Sequence, residues 1–98
     1  MPSPVYKVQV RQQVMDFAAT LGLEHRRALK KAILGLATER GDIKALQEEL
    51  AGYYRLHITS FRIIFRYQPG RIIDCVFAER RKLIYEIFES EMARILKQ

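Results

Sequence analysis

The chain has 98 residues, 49% of them hydrophobic and 29% charged, which is enough for one small core and excludes both a second domain and a disordered chain. Seventeen Lys and Arg against 11 Asp and Glu give a formal charge of +6 and a pI near 9.8. That excess favours polyanionic partners: nucleic acid first, an acidic protein segment second, an anionic membrane third. Cys75 is the single cysteine, which excludes a disulfide framework or a cysteine-rich zinc site within one chain. Inside the run Ile72-Ile73-Asp74-Cys75-Val76-Phe77 it reads as a small buried hydrophobe. No signal-peptide pattern opens the chain and no apolar run approaches the length of a bilayer span, so a cytoplasmic protein without a membrane partner is expected.

Met1 to Pro4 holds two prolines and reads as a loose tail. Tyr6, Val8 and Val10 then alternate with Lys7 and Gln9, the pattern of a short half-buried strand. From Arg11 the period becomes helical through Val14, Phe17, Ala18 and Leu21, with Gly22 placed as a C-cap. A second helix is expected from Leu23 or Glu24, with Leu29, Ala32, Ile33 and Leu36 as its apolar stripe and Arg26, Arg27, Lys30 and Lys31 as a basic flank. Residues 39 to 52 are polar and read as a connection with a helical turn around Ile43 to Leu50.

Three strands should follow. Tyr54, Leu56 and Ile58 alternate with Arg55 and His57, and Phe61, Ile63, Phe65 and Tyr67 with Arg62 and Arg66. Pro69-Gly70 suits the centre of a type II turn. The segment from Arg71 to Ala78 is nearly all apolar, as a strand covered on both faces should be. Ile84, Ile87, Phe88, Met92 and Ile95 mark an amphipathic C-terminal helix. The predicted order is βααβββα, a single α+β domain over residues 1–98 with a twisted, mostly antiparallel sheet packed on a helical hairpin.

Between Tyr53 and Lys82 there are seven Lys and Arg against two acidic residues. Alternation puts Arg55 and His57 on one face, and a hairpin turning at Thr59-Ser60 sets His57 opposite Arg62. The result is one cationic surface, whose register is protected by burial of the residues between. Solvated arginine on a wet sheet face is the competing reading, and it applies most to Arg66 and Arg71. Tyr53 and Tyr54 point to opposite faces, so one of them is expected to be exposed. His25 reads as a surface or capping residue, and Glu79 as a base or as the salt-bridge partner of a neighbouring Arg.

The segment from Gly52 to Phe65 (GYYRLHITSFRIIF) resembles the Gly-x-Tyr-Arg-Leu-Arg-x-Gly-x-Tyr-Arg-Val-x-Tyr block of RelE/ParE toxins. The run Ala78-Glu79-Arg80-Arg81-Lys82-Leu83-Ile84-Tyr85 is similar to that family's closing basic run and Tyr, and Gly41 to Leu46 to the approach to the block. The order of the preceding elements matches too, so the resemblance spans nearly the whole chain. It departs at His57, where Lys or Arg is usual, at Glu79, where RelE has Arg, and at Thr59-Ser60, where the turn Gly is missing.

The resemblance implies helices on one side of a twisted antiparallel sheet, a cognate antitoxin as partner, and no metal or small-molecule cofactor. RelE-type members are ribosome-dependent endonucleases that cut mRNA through 2′-OH attack. ParE-type members inhibit DNA gyrase, and that is the alternative, as is a non-catalytic module that binds RNA or an antitoxin. Catalytic positions expected on this basis are Arg55, His57, Arg62, Arg81 and Tyr85. Lys44, Arg66, Arg80 and Lys82 are the expected RNA contacts. Arg62 and Arg81 suit charge stabilisation, His57 proton transfer, and Tyr85 either an acid or a stacking platform, with simple packing as its other reading.

Overall fold

The protein's structure is a computed structural model that describes residues 5–80 together with Phe88, Ser90 and Arg94. Strand β1 (Lys7–Val10) leads into helices α1 (Gln12–Ala19) and α2 (Leu23–Gly35), followed by strands β2 (Asp42–Ala45), β3 (Tyr54–Ile58), β4 (Phe61–Gln68) and β5 (Ile72–Arg80). Short 3₁₀ turns occupy Leu36–Thr38 and Glu48–Leu50. The expected N-terminal tail and most of the expected C-terminal helix lie outside the described residues; Phe88, Ser90 and Arg94 are helical.

The five strands form one sheet in the order β1-β5-β4-β3-β2. All neighbours are antiparallel except β1 and β5, which run parallel. On the inner face, Leu56, Phe61, Ile63, Phe65, Ile73 and Cys75 meet Val14, Phe17 and Leu21 of α1 and Leu29 of α2 in the main core. Cys75 is fully buried and its thiol is pushed up to about 12, first by burial and then by the charge of Asp74, so it packs as a hydrophobe.

Two expectations about local structure are corrected. Gly22 does not cap α1: its φ of −66° is ordinary, and it is the N-cap of α2, while Thr20 closes α1. The polar stretch after residue 39 is not a mere connection, because Asp42–Ala45 pairs with β3 as an edge strand. Only Ile43 of its four residues is half-buried, and the exposed Asp42 and Lys44 protect the open edge from pairing with other chains. The helical turn expected there shrinks to Glu48–Leu50.

The hairpin forms as its hydrophobic alternation demands. Ile58 pairs with Phe61 and His57 with Arg62 around Thr59-Ser60. With no glycine in this turn, Thr59 takes φ +40°, a strained value for a β-branched residue. Gly70 takes φ +86°, as the third position of a type II turn requires.

One irregularity reorganises the outer face. Ile64 pairs with Phe77 but Phe65 with Cys75, which leaves Val76 as a bulge in β5. Before the bulge Asp74 points outward and Cys75 inward; after it Phe77 and Glu79 point outward and Ala78 and Arg80 inward. Val76 and Phe77 therefore join Ile64 in an apolar patch on the outer face, closed by the buried Phe88. The helices are thus not confined to one side of the sheet as the resemblance implied. Tyr53 packs edge-on to Phe88 at 5.2 Å, and Tyr54 stacks on Phe65 at 5.7 Å. Both tyrosines are half-buried, on opposite faces, because both faces are covered there.

β1 ends at Val10, short of the end of β5. Beyond it the side-chain amide of Gln13 on α1 takes over: Nε2 donates to the Ala78 carbonyl and Oε1 accepts from the Ala78 N–H, both at 2.8 Å. Gln13→Ala should lower the unfolding free energy by about 1–3 kcal/mol in urea titration, since both backbone groups lose their partner. Thr59→Gly should raise Tm by a few degrees: relieving a left-handed residue gains about 1–2 kcal/mol, and glycine's added freedom returns roughly half of it.

Candidate nucleic-acid interface

The register aligns four charged residues in a row across the outer face: Asp42 on β2, His57 on β3, Arg62 on β4 and Glu79 on β5. Opposed side chains on neighbouring strands sit about 5 Å apart at Cβ, so two basic groups stand side by side with a carboxylate at each end. The next row holds Lys44 and Arg55, then Ile64 and Phe77. Like charges directly opposite one another, as Lys44 and Arg55 are, destabilise a sheet.

Glu79 reaches this row only because of the bulge. With unbroken alternation it would share the inward face of Cys75, and Arg80 would point outward. Instead Arg80 lies on the inner side, its Cζ 5.7 Å from the centre of the Phe61 ring, where His25 meets the same ring at 5.3 Å. Arg80 is therefore separated from Arg55, His57 and Arg62. Of the other expected positions, Lys44 is exposed beside Arg55, while Arg81, Lys82 and Tyr85 lie outside the described residues.

Asp42 is the residue that sequence reasoning missed. Its Oδ2 lies 3.5 Å from Arg55 Nη1 and 3.4 Å from His57 Nδ1. The other ring nitrogen, Nε2, donates to the Thr59 carbonyl at 3.0 Å. These contacts orient the Arg55 and His57 side chains without locking them, because the Asp42 side chain is 61% exposed and such pairs contribute about 0–1 kcal/mol. Arg55 is only 14% exposed, and its buried Nη1 makes no hydrogen bond.

Arg66 is differently placed. It donates through Nε to Asp74 Oδ2 at 3.2 Å, while Arg11 grips both oxygens of the same carboxylate at 3.0 and 2.9 Å. Arg66 also lies over the Tyr53 ring at 5.9 Å. Its role is to neutralise Asp74, which is fully buried. Burial raises the Asp74 pKa, but the hydrogen bonds and charge of Arg11, and then of Arg66, outweigh it and hold the carboxyl below the usual carboxylate range.

No protein-family profile matches this sequence, and no curated protein matches it. Solved structures do. The chain is similar to a chain of the toxin–antitoxin complex RelBE2 of Mycobacterium tuberculosis, with a TM-score of 0.69 and 21% identity over 79% of this chain and 92% of that one. It is equally similar, at 0.69 and 14% identity, to a mutant of the E. coli toxin RelE in the free state, over 93% and 98% of the two chains. The isolated E. coli RelE toxin matches with a TM-score of 0.61 and 16% identity over 92% and 98%. These likenesses show the fold.

Asp74 carries a pH signature. In the unfolded chain it takes up its proton near pH 3.9, but in the folded protein only at lower pH. Its stabilising contribution is therefore complete above about pH 4 and is lost as pH falls through the folded value. Acid titration of Tm should show a fall below about pH 4 that is shallower in Asp74→Asn. The double variant Arg11→Ala/Arg66→Ala should cost more than Asp74→Asn, about 3–5 kcal/mol, because it strands a buried charge whereas the two arginines can still reach water.

Proposed function

From a chain with the fold of RelE toxins, we propose a type II toxin that acts as a ribosome-dependent mRNA endonuclease and is held in check by an antitoxin. The observation that carries this reading is the row Asp42, His57, Arg62 and Glu79, with Arg55 beside it. It sets guanidinium groups beside groups able to carry a proton on the outer face of the sheet.

In the proposed reaction the ribose 2′-OH attacks the adjacent phosphorus. A bond forms between the 2′ oxygen and phosphorus, and the bond to the 5′ oxygen of the next nucleotide breaks. The 2′ proton passes to a base and the departing 5′ oxygen receives a proton from an acid, leaving a 2′,3′-cyclic phosphate and a 5′-OH. Arg55 and Arg62 bind the phosphate oxygens through planar donor pairs that stay protonated and meet the charge that builds up there. His57, and Glu79 across the row, are the proton-transfer groups within reach. Lys44 holds the strand at the edge. Arg81 and Tyr85 retain the roles that the family resemblance gives them. A toxin of this kind needs a protein partner, and RelBE2, whose chain this one resembles, is a toxin–antitoxin complex.

The test is inducible expression of His57→Ala and Arg62→Ala, with mapping of mRNA 5′ ends on ribosomes. Cleavage should fall by about 10²–10⁴-fold for loss of the proton-transfer group. Both variants should keep the wild-type Tm within a few degrees, since both side chains are only half-buried. Undiminished growth arrest in both would remove this surface from the mechanism.

A further inference from the structure

A groove of about 550 Å³ runs between α2 and the end of β3 where the edge strand has stopped. Ala28, Leu56 and Ile58 line it, Lys31 and Arg40 add two cations, and His57 is shared between the groove and the charged row of the outer face. Among the described residues neither Lys31 nor Arg40 makes an ion pair. The acids flanking Arg40 in sequence are engaged elsewhere. Glu39 accepts a hydrogen bond from the Tyr67 hydroxyl at 2.8 Å, and Asp42 faces Arg55 and His57. Arg40 is held in place through its backbone, whose N–H donates to the Gly35 carbonyl at 2.9 Å. Gly41 next to it has φ +118°, and a Cβ there would come within 2.6 Å of Leu56, so the close approach of this turn to the groove floor depends on glycine.

We propose that this groove is a second RNA subsite, which takes a nucleotide of the single strand flanking the scissile phosphate. The inference rests on the ribonuclease reading above and extends it around the sheet edge. The apolar floor suits a base, and Lys31 and Arg40 suit the phosphates on either side of it. The volume is that of a small-ligand site rather than of a helix-binding trough. Continuity through His57 means that a strand leaving the Arg55 and Arg62 surface meets the groove next.

The test compares the full chain with Lys31→Ala/Arg40→Ala by fluorescence anisotropy. The probes are a long single-stranded oligoribonucleotide, blocked at its 2′ positions against cleavage, and a dinucleotide of the same chemistry. The double variant should bind the long probe about tenfold more weakly, with a salt slope shallower by about 1.4 for two lost phosphate contacts, and the dinucleotide as before. Unchanged affinity and slope for the long probe, or equal losses for both probes, would overturn the subsite. So would retained RNA affinity with lost affinity for an acidic protein partner, which would assign the groove to that partner. Arg55→Ala/Arg62→Ala separates the two levels of inference. If it abolishes dinucleotide binding while the groove variant binds the long probe normally, only the subsite fails. If the wild-type chain binds neither probe, the ribonuclease reading fails and the subsite with it.

Discussion

A carboxylate under a sheet is tolerated only when it is neutralised, and the neutralisation of Asp74 organises this molecule. Arg11, at the junction of β1 and α1, grips it with a two-pronged fork, and Arg66 reaches it from β4. One ion triad thus ties β1, β5 and β4 together and aligns the parallel pair β1 and β5. Because Arg66 is committed to Asp74 and stacks on Tyr53, the outer face divides into two zones. One end is an ion triad next to an aromatic patch closed by Phe88; the other carries Arg55, His57 and Arg62.

That division explains why basic residues of one sequence segment have different fates. Arg62 and Arg66 share a strand face, yet only Arg66 lies opposite a buried carboxylate in register. Arg80 lies on the strand next to Arg62 but on the opposite side of the sheet. A single bulge at Val76 sends Arg80 inward, places Glu79 beside Arg62 and supplies the apolar patch that Phe88 covers. Bulges re-aim side chains in this way wherever a strand needs a residue of the wrong parity on its working face.

The β3–β4 hairpin was legible in the sequence because burial of Phe61, Ile63 and Phe65 leaves one register open to it, and that register fixes His57 against Arg62. The inner core was legible for the same reason. Strand β2 was not, since an edge strand with one half-buried residue in four lacks the apolar alternation that marks strands, and Asp42 was missed with it. The bulge was hidden because the run from Cys75 to Ala78 is apolar on both parities, so no mismatch in pattern betrays the extra residue. Gln13 was invisible for another reason: its partner is a backbone unit 65 residues away, and no side-chain pattern encodes that contact.

The pairing of β1 with β5 has a consequence for how the molecule comes into being. The ion contact between Arg11 and Asp74 spans 63 positions, so β1 must wait for β5 before it has a neighbour, whereas β5 can pair with β4 at once. Loop closure over such a span is costly and slow compared with the local closure of a hairpin. A nascent chain leaving the ribosome therefore carries β3 and β4 already zipped while its leading strand is still unmated. The charged row lacks its fourth member, Glu79, until β5 emerges. The fourth place in the row is therefore filled only after the other three.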